Sequence, residues 1–231
     1  MSKAPIARAK MQRITAEIAA SDKRFAKVIN ESPLCSIGSS VSPETNFQSL
    51  VSSVISQQLA VKAADTIHGR LNDLAKGQIT PIRIAKLSEV ALREIGVSGA
   101  KAKTIQGLAQ ASISGSIPIE NLHELSDDEV FTGLTSLWGI GPWTVDMFMM
   151  FQLHRLDIWP TGDLGVRRGW ESIHKLAEQI EPKALDVKGE KFRPYRSVVA
   201  WYCWRHLDNL RAENKKLGNV NQDNTKQTKK K

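Results

Sequence analysis

Leu137-Trp-Gly-Ile-Gly-Pro-Trp-Thr144, with Asp163 twenty residues beyond Trp143, is the stretch that decides the reading of this chain. Gly139 and Gly141 lack a Cβ, so both can take positive φ and let an anion approach the backbone closely. Pro142 suits the first position of a helix, where its missing N–H is not needed. Upstream, Ser126-Asp-Asp-Glu129 is a capping-box signature that opens a helix through about Ser136. Downstream, Thr144 to Phe151 continues as a mostly apolar helix. The order is helix, Gly-x-Gly hairpin, helix. Free N–H groups at the start of the second helix would make a phosphate-type anion site. An αα-corner with glycines at its bend has the same pattern. Asp163, between Gly162 and Leu164, reads as a helix N-cap, and its offset from the hairpin adds a second reading as a lone functional carboxylate.

Working outward, the chain reads as helix nearly everywhere. Ile6–Ala20 and Lys23–Asn30 are separated by the break and cap Ser21-Asp22. Phe47, Leu50, Val51, Val54 and Ile55 form an apolar stripe at i, i+3, i+4, i+7 and i+8. Further helices are predicted over Val61–Leu74, Pro81–Leu87, Glu89–Ile95, Ala100–Ser112, Asp127–Ser136, Trp143–Leu153, Leu164–His174 and Tyr195–Ala212. Alternating strand patterns are absent, so the predicted class is all-α.

The 231 residues suffice for one domain or two closely packed lobes. Net charge is +8 and the pI near 9.5, which favours a polyanion partner. Half of that excess lies in residues 213–231, where six Lys face two acids, and this basic tail is expected to be disordered. Two cysteines, Cys35 and Cys203, are too few for a four-cysteine iron–sulfur cluster, and two buried thiols are expected. No secretory signal or run long enough to span a membrane is seen, so an intracellular protein is expected.

Four motifs in order carry a family resemblance. They are Ile55-Ser-Gln-Gln-Leu-Ala-Val-Lys-Ala-Ala64, Gly96-Val-Ser-Gly-Ala-Lys-Ala-Lys-Thr-Ile105, the hairpin with its Asp163, and Arg193-Pro-Tyr-Arg-Ser-Val-Val-Ala-Trp-Tyr-Cys-Trp-Arg-His206. Together they resemble the helix–hairpin–helix DNA glycosylases over roughly residues 43–210. Within these, the chain is similar to the 3-methyladenine DNA glycosylase II branch in its compact form, without an N-terminal β-domain. The resemblance implies two helical lobes (residues 1–212, hairpin motif about 127–153) with the active-site cleft between them. It implies base-excision repair of alkylated purines in double-stranded DNA, by a DNA-associated monomer with no required cofactor.

The implied chemistry begins with the damaged nucleotide turned out of the duplex. Cleavage of its N-glycosidic bond builds positive charge on the sugar, which a fixed carboxylate stabilises; the resemblance gives that position to Asp163. A cationic base is held by π-surface, for which Trp143, Trp204 and Phe151 are the candidates, with core packing the alternative for each. Trp143 stands where bifunctional relatives place a lysine, so Schiff-base chemistry and strand cleavage are not expected. Gln58, or its neighbour Gln57, stands where the branch places the wedge that fills the hole left by the flipped base; a polar helix end facing solvent is the alternative. Ala60 replaces a His of yeast-type relatives. Gly139, Gly141 and Thr144 would bind the DNA backbone, and the carbonyls of Thr135, Leu137 and Ile140 would hold a sodium or potassium ion. Arg167, Arg168 and Lys101 could add phosphate contacts, and Arg196 would anchor the C-terminal helix.

A non-catalytic or weakly active helix–hairpin–helix module that only grips damaged DNA is the competing class. It would need neither an acid beyond the hairpin nor aromatics around it. Oxidised-purine and mismatch glycosylases on the same fold usually carry the hairpin lysine or the cluster, and this sequence has neither.

Overall fold

The computed structural model describes residues 5–228, with side chains to residue 215. Among the described residues all regular structure is helical. The chain divides into two compact units, one formed by Val41–Arg155 and the other by Ala4–Ser40 with Leu156–Lys231.

The second unit begins with α1 (Arg8–Ser21) and α2 (Lys23–Asn30). Asp22 accepts the backbone N–H of Arg24 and so caps α2 as the sequence indicates. The chain then builds the first unit. Its α3 (Asn46–Ser56) opens with a Thr45/Gln48 capping box and buries the whole stripe from Phe47 to Ile55. There follow α4 (Val61–Leu74), the short α5 (Pro81–Ala85) and α6 (Glu89–Glu94), then α7 (Gly99–Ser114), whose Ile105, Leu108 and Ala109 are fully buried. After a 3-10 turn over Ile119–Glu124 come α8 (Asp127–Thr135) and α9 (Pro142–Phe151). The predicted Ser126/Glu129 capping box is formed in both directions. Helices α3, α7 and α9 make the core of this unit, with α3 packing on both of the others.

The chain returns to the second unit with α10 (Leu164–His174), α11 (Pro182–Gly189) and α12 (Arg196–Thr228). The principal packing is α10 on α12. It depends on Gly165 and Gly169, one turn apart on α10. A Cβ at Gly169 would collide with the backbone of Cys203, and one at Gly165 would press on the Trp204 indole. Arg196 anchors the start of α12 as expected, its guanidinium on the Asp157 carboxylate at 2.8 and 3.1 Å. Trp201 and Tyr202 are buried, and Cys35 and Cys203 are free buried thiols, their pKa values pushed up by desolvation, that of Cys35 to about 12.

Two features depart from the sequence reading. Helix α11 was not predicted, because its one deeply buried apolar side chain is Leu185 and a single contact shows no period. Helix α12 does not stop at Ala212 but runs to Thr228, since no Pro or capping motif interrupts Arg211-Ala-Glu-Asn-Lys-Lys-Leu217. Most of the tail expected to be disordered from residue 213 is therefore continuous with that helix. Lys229-Lys-Lys231 lies outside the described residues.

Beneath α10, Asp22 is a charged knot. Its side chain is 4% exposed, and one oxygen accepts from Lys191 at 2.8 Å and from His174 at 3.0 Å. Burial alone would raise the Asp22 pKa, but these hydrogen bonds and the Arg24 N–H outweigh it and hold the carboxyl at about 2. A depressed folded-state pKa gives stability that is complete above the ordinary carboxylate value near pH 4 and is lost as pH falls toward 2. The amount is about 2 kcal/mol. Asp22→Asn keeps the helix cap but removes the anion. Thermal melts from pH 7 to pH 2 should show the variant less stable at pH 7, with the gap to wild type closing below pH 4. A constant gap would remove the charge from the explanation.

Candidate nucleic-acid interface and active site

The hairpin between α8 and α9 divides its two glycines into different tasks. Gly139 has φ +83°, and a Cβ there would collide with the Thr104 side chain. It is glycine for local steric reasons. Gly141 has φ −91° and ψ 168°, an extended conformation open to any residue, and a Cβ there would meet nothing within 4 Å. The positive φ expected of both glycines is found at Gly139 only. What Gly141 leaves is open space at the N-terminus of α9, where the first N–H groups lack helical partners.

The loop between α3 and α4 separates the two glutamines. Gln57 turns inward, its Nε2 donating to the Gly139 carbonyl at 3.4 Å and to Thr144 Oγ1 at 3.3 Å, so it ties the loop to the hairpin. Thr144 is buried, its hydroxyl facing Gln57. Gln58 is exposed at the loop tip, with a left-handed φ of +56° that is uncommon for a non-glycine residue. Next to it Leu59 is 39% exposed, an apolar tip residue that the sequence reading passed over. Lys101, expected as a phosphate contact, is turned to the backbone of its own unit. Its ammonium donates to the carbonyls of Ile55 at 2.8 Å and Gln57 at 2.7 Å, holding the end of α3 beneath the loop. Desolvation pulls its pKa below the usual lysine value.

Between α3 and α9 lies an open hollow of about 360 Å³. Trp143, half-exposed, and Met147 line it from α9; Ser49, Ser52, Ser53 and Ser56 line it from α3; Glu44, just before α3, lines it as well. Trp143 is thus placed on a cavity wall rather than in the core. Phe151, two turns further along α9 and 46% exposed, is not among the lining residues, whereas Met147 is. Met147 and Glu44 gave no sequence signal, since only the packing of α9 on α3 brings them together.

The second unit holds Asp163 at the N-terminus of α10. Its Oδ1 accepts the Val166 N–H at 2.7 Å and the Trp204 indole N–H at 2.8 Å. The carboxylate is therefore both a helix cap and the partner of a tryptophan 41 residues away. Trp204, expected as a pocket aromatic, is seen here as a hydrogen-bond donor to that carboxylate. Gly165 permits it, because a Cβ there would sit 2.8 Å from the indole and 3.0 Å from Asp163 Oδ1. The Thr135, Leu137 and Ile140 carbonyls fall at the end of α8 and in the hairpin, hard oxygen donors of the kind an alkali cation takes. That of Leu137 already accepts the Ile140 N–H at 3.2 Å, which leaves it a second lone pair.

The first unit thus carries a glycine hairpin with an open helix start, an exposed polar loop tip and an aromatic-walled hollow, and the second a carboxylate at a helix start. The chain belongs to the HhH-GPD superfamily of base excision DNA repair proteins, whose family description matches residues 51–194. It is 37% identical over 163 residues to DNA-3-methyladenine glycosylase 1 of Schizosaccharomyces pombe, covering 69% of this chain and 71% of that protein. Among solved structures it is similar to a DNA-3-methyladenine glycosidase from Bacillus halodurans, with a TM-score of 0.76 and 35% identity over 83% of this chain and 88% of that one. It is also similar to a 3-methyladenine DNA glycosylase of Schizosaccharomyces pombe in complex with abasic DNA, with a TM-score of 0.72 and 30% identity over 84% of this chain and 95% of that one. Among the described residues no helix is long and apolar enough to cross a membrane.

Proposed function

We propose that this chain is a monofunctional DNA glycosylase that hydrolyses the N-glycosidic bond of alkylated purines in duplex DNA and leaves an abasic site. Base-excision repair follows from the family, and alkylated bases as the substrate class agree with the names of its relatives. The observation that carries the catalytic part is Asp163, fixed by two N–H donors at the start of α10. Two bonds to one oxygen set the carboxylate's orientation, so no reorganisation is needed when positive charge develops on the sugar. The same group can orient the attacking water. Trp143 offers the aromatic face that an electron-poor base prefers, worth about 0.5–2 kcal/mol for a desolvated cation. The open N-terminus of α9 at Gly141 grips backbone phosphate, with a sodium or potassium ion on the Thr135, Leu137 and Ile140 carbonyls assisting. Gln58 is the wedge, and Gln57 holds the wedge loop on the hairpin.

Without an amine at position 143 the product is an intact strand with an abasic site. Borohydride should trap no covalent protein–DNA adduct during turnover; trapping at the level of a lysine-bearing glycosylase would overturn the monofunctional assignment.

The grip and the wedge should also separate. Gly141→Val should fold normally, because its Cβ meets nothing, yet weaken binding to damaged and undamaged duplex alike. Gln58→Ala should weaken capture of an abasic duplex several-fold more than nonspecific binding, since only a flipped state leaves a hole to fill. Both are read by fluorescence anisotropy over a salt series, in which wild-type affinity should fall steeply. Identical effects of the two variants on both DNAs would return Gln58 to the status of a solvent-facing residue.

A further inference from the structure

The hollow beside Trp143 is bounded by a carboxylate that the chemistry above does not use. Its α3 wall is a hydroxyl stripe, Ser49, Ser52, Ser53 and Ser56 recurring at i, i+3, i+4 and i+7. Ser52 Oγ lies 3.1 Å from Glu44 Oε1 and 2.9 Å from His68 Nε2. A serine hydroxyl has one proton, and an ionised carboxylate can only accept. The Ser52 proton therefore goes to Glu44, and a Ser52 lone pair receives the N–H of His68. The backbone of Glu44 is pinned as well, its N–H donating to Ser42 Oγ at 3.2 Å and its carbonyl accepting from Gln152 Nε2 at 3.0 Å. A carboxylate so oriented, on a hollow that also carries an indole, is complementary to one kind of guest. A flat ring with positive charge and an N–H edge gains from both groups, whereas a neutral ring with no N–H edge gains only from the indole.

We propose that Glu44, oriented by Ser52 and His68, is a specificity-determining acceptor that favours extruded bases carrying positive charge. This rests on reading the hollow as the receiving site for the flipped base. Glu44 acts on recognition; Ser52 and His68 are positioning residues.

The test is single-turnover release of 7-methylguanine, a cationic base with an N–H edge, and of 1,N6-ethenoadenine, a neutral one with no N–H, from duplexes of the same sequence. Glu44→Gln should slow 7-methylguanine release roughly tenfold or more, the scale of losing a hydrogen bond to a charged group. Ethenoadenine release, whatever its wild-type rate, and affinity for an abasic duplex should change by no more than about twofold. Ser52→Ala should act in the same direction with a smaller loss, and Ser52→Thr should restore the rate. Melting temperatures of all variants report on folding. An equal loss for both bases, or no loss for either, overturns the role of Glu44 and leaves the glycosylase reading intact. A wild-type protein that releases neither base overturns that reading, and this inference with it.

Discussion

Asp163→Asn should lower base excision by roughly 10²–10³-fold or more while leaving the fold and DNA binding in place. The substitution isolates charge from geometry. An asparagine Oδ1 can still accept the Val166 N–H and the Trp204 indole N–H that Asp163 accepts at 2.7 and 2.8 Å, and asparagine caps helices as well as aspartate does. What disappears is the negative charge, which matters only as the sugar becomes cationic. Melting temperature and affinity for an abasic duplex should therefore stay near wild type while single-turnover release collapses. If release persisted within a few-fold, Asp163 would be a helix cap and nothing more.

The largest effect on stability is expected at Gly169. Gly169→Ala places a methyl group against the backbone of Cys203, where no rotamer change relieves the contact, so α10 and α12 must separate along the principal packing of their unit. The cost should be about 3 kcal/mol or more, at the upper end of overpacking effects. Gly133→Ala is the control. That glycine lies inside α8 with nothing within 4 Å of an added Cβ, so the change should stabilise by about 0.5–1 kcal/mol. Urea unfolding of the two variants should move in opposite directions; a neutral Gly169→Ala would mean that α10 and α12 are not held at this contact.

What was legible in the sequence is what depends on near neighbours. The Ser126/Glu129 box, the Asp22 cap and the α3 stripe are set by residues within two or three turns, and each is found as read. The offset of Asp163 from the hairpin was visible for the same reason. The partnership of Asp163 with Trp204 was only half visible: the resemblance named both as site residues, but their hydrogen bond requires α10 to lie against α12, which the glycines at 165 and 169 permit. Those glycines stand at i and i+4 and could have been noticed as a small-residue face. The division of labour between Gln57 and Gln58 was hidden, because it turns on one left-handed residue and on contacts 82 and 87 residues away. Lys101 was read on charge alone: a basic residue in a DNA-binding family suggests phosphate, yet two of its three ammonium donors go to backbone carbonyls. Glu44 offered no periodic or motif signal, and only the tertiary placement of Ser52 and His68 gives it direction.

Incubation of the wild-type protein with methylated duplex DNA, followed by chromatography of the released bases, tests the assignment most directly. Free alkylated purines should appear, with strands that remain intact until treated with alkali or heat. Absence of any free base, or scission of the strand without that treatment, would contradict it.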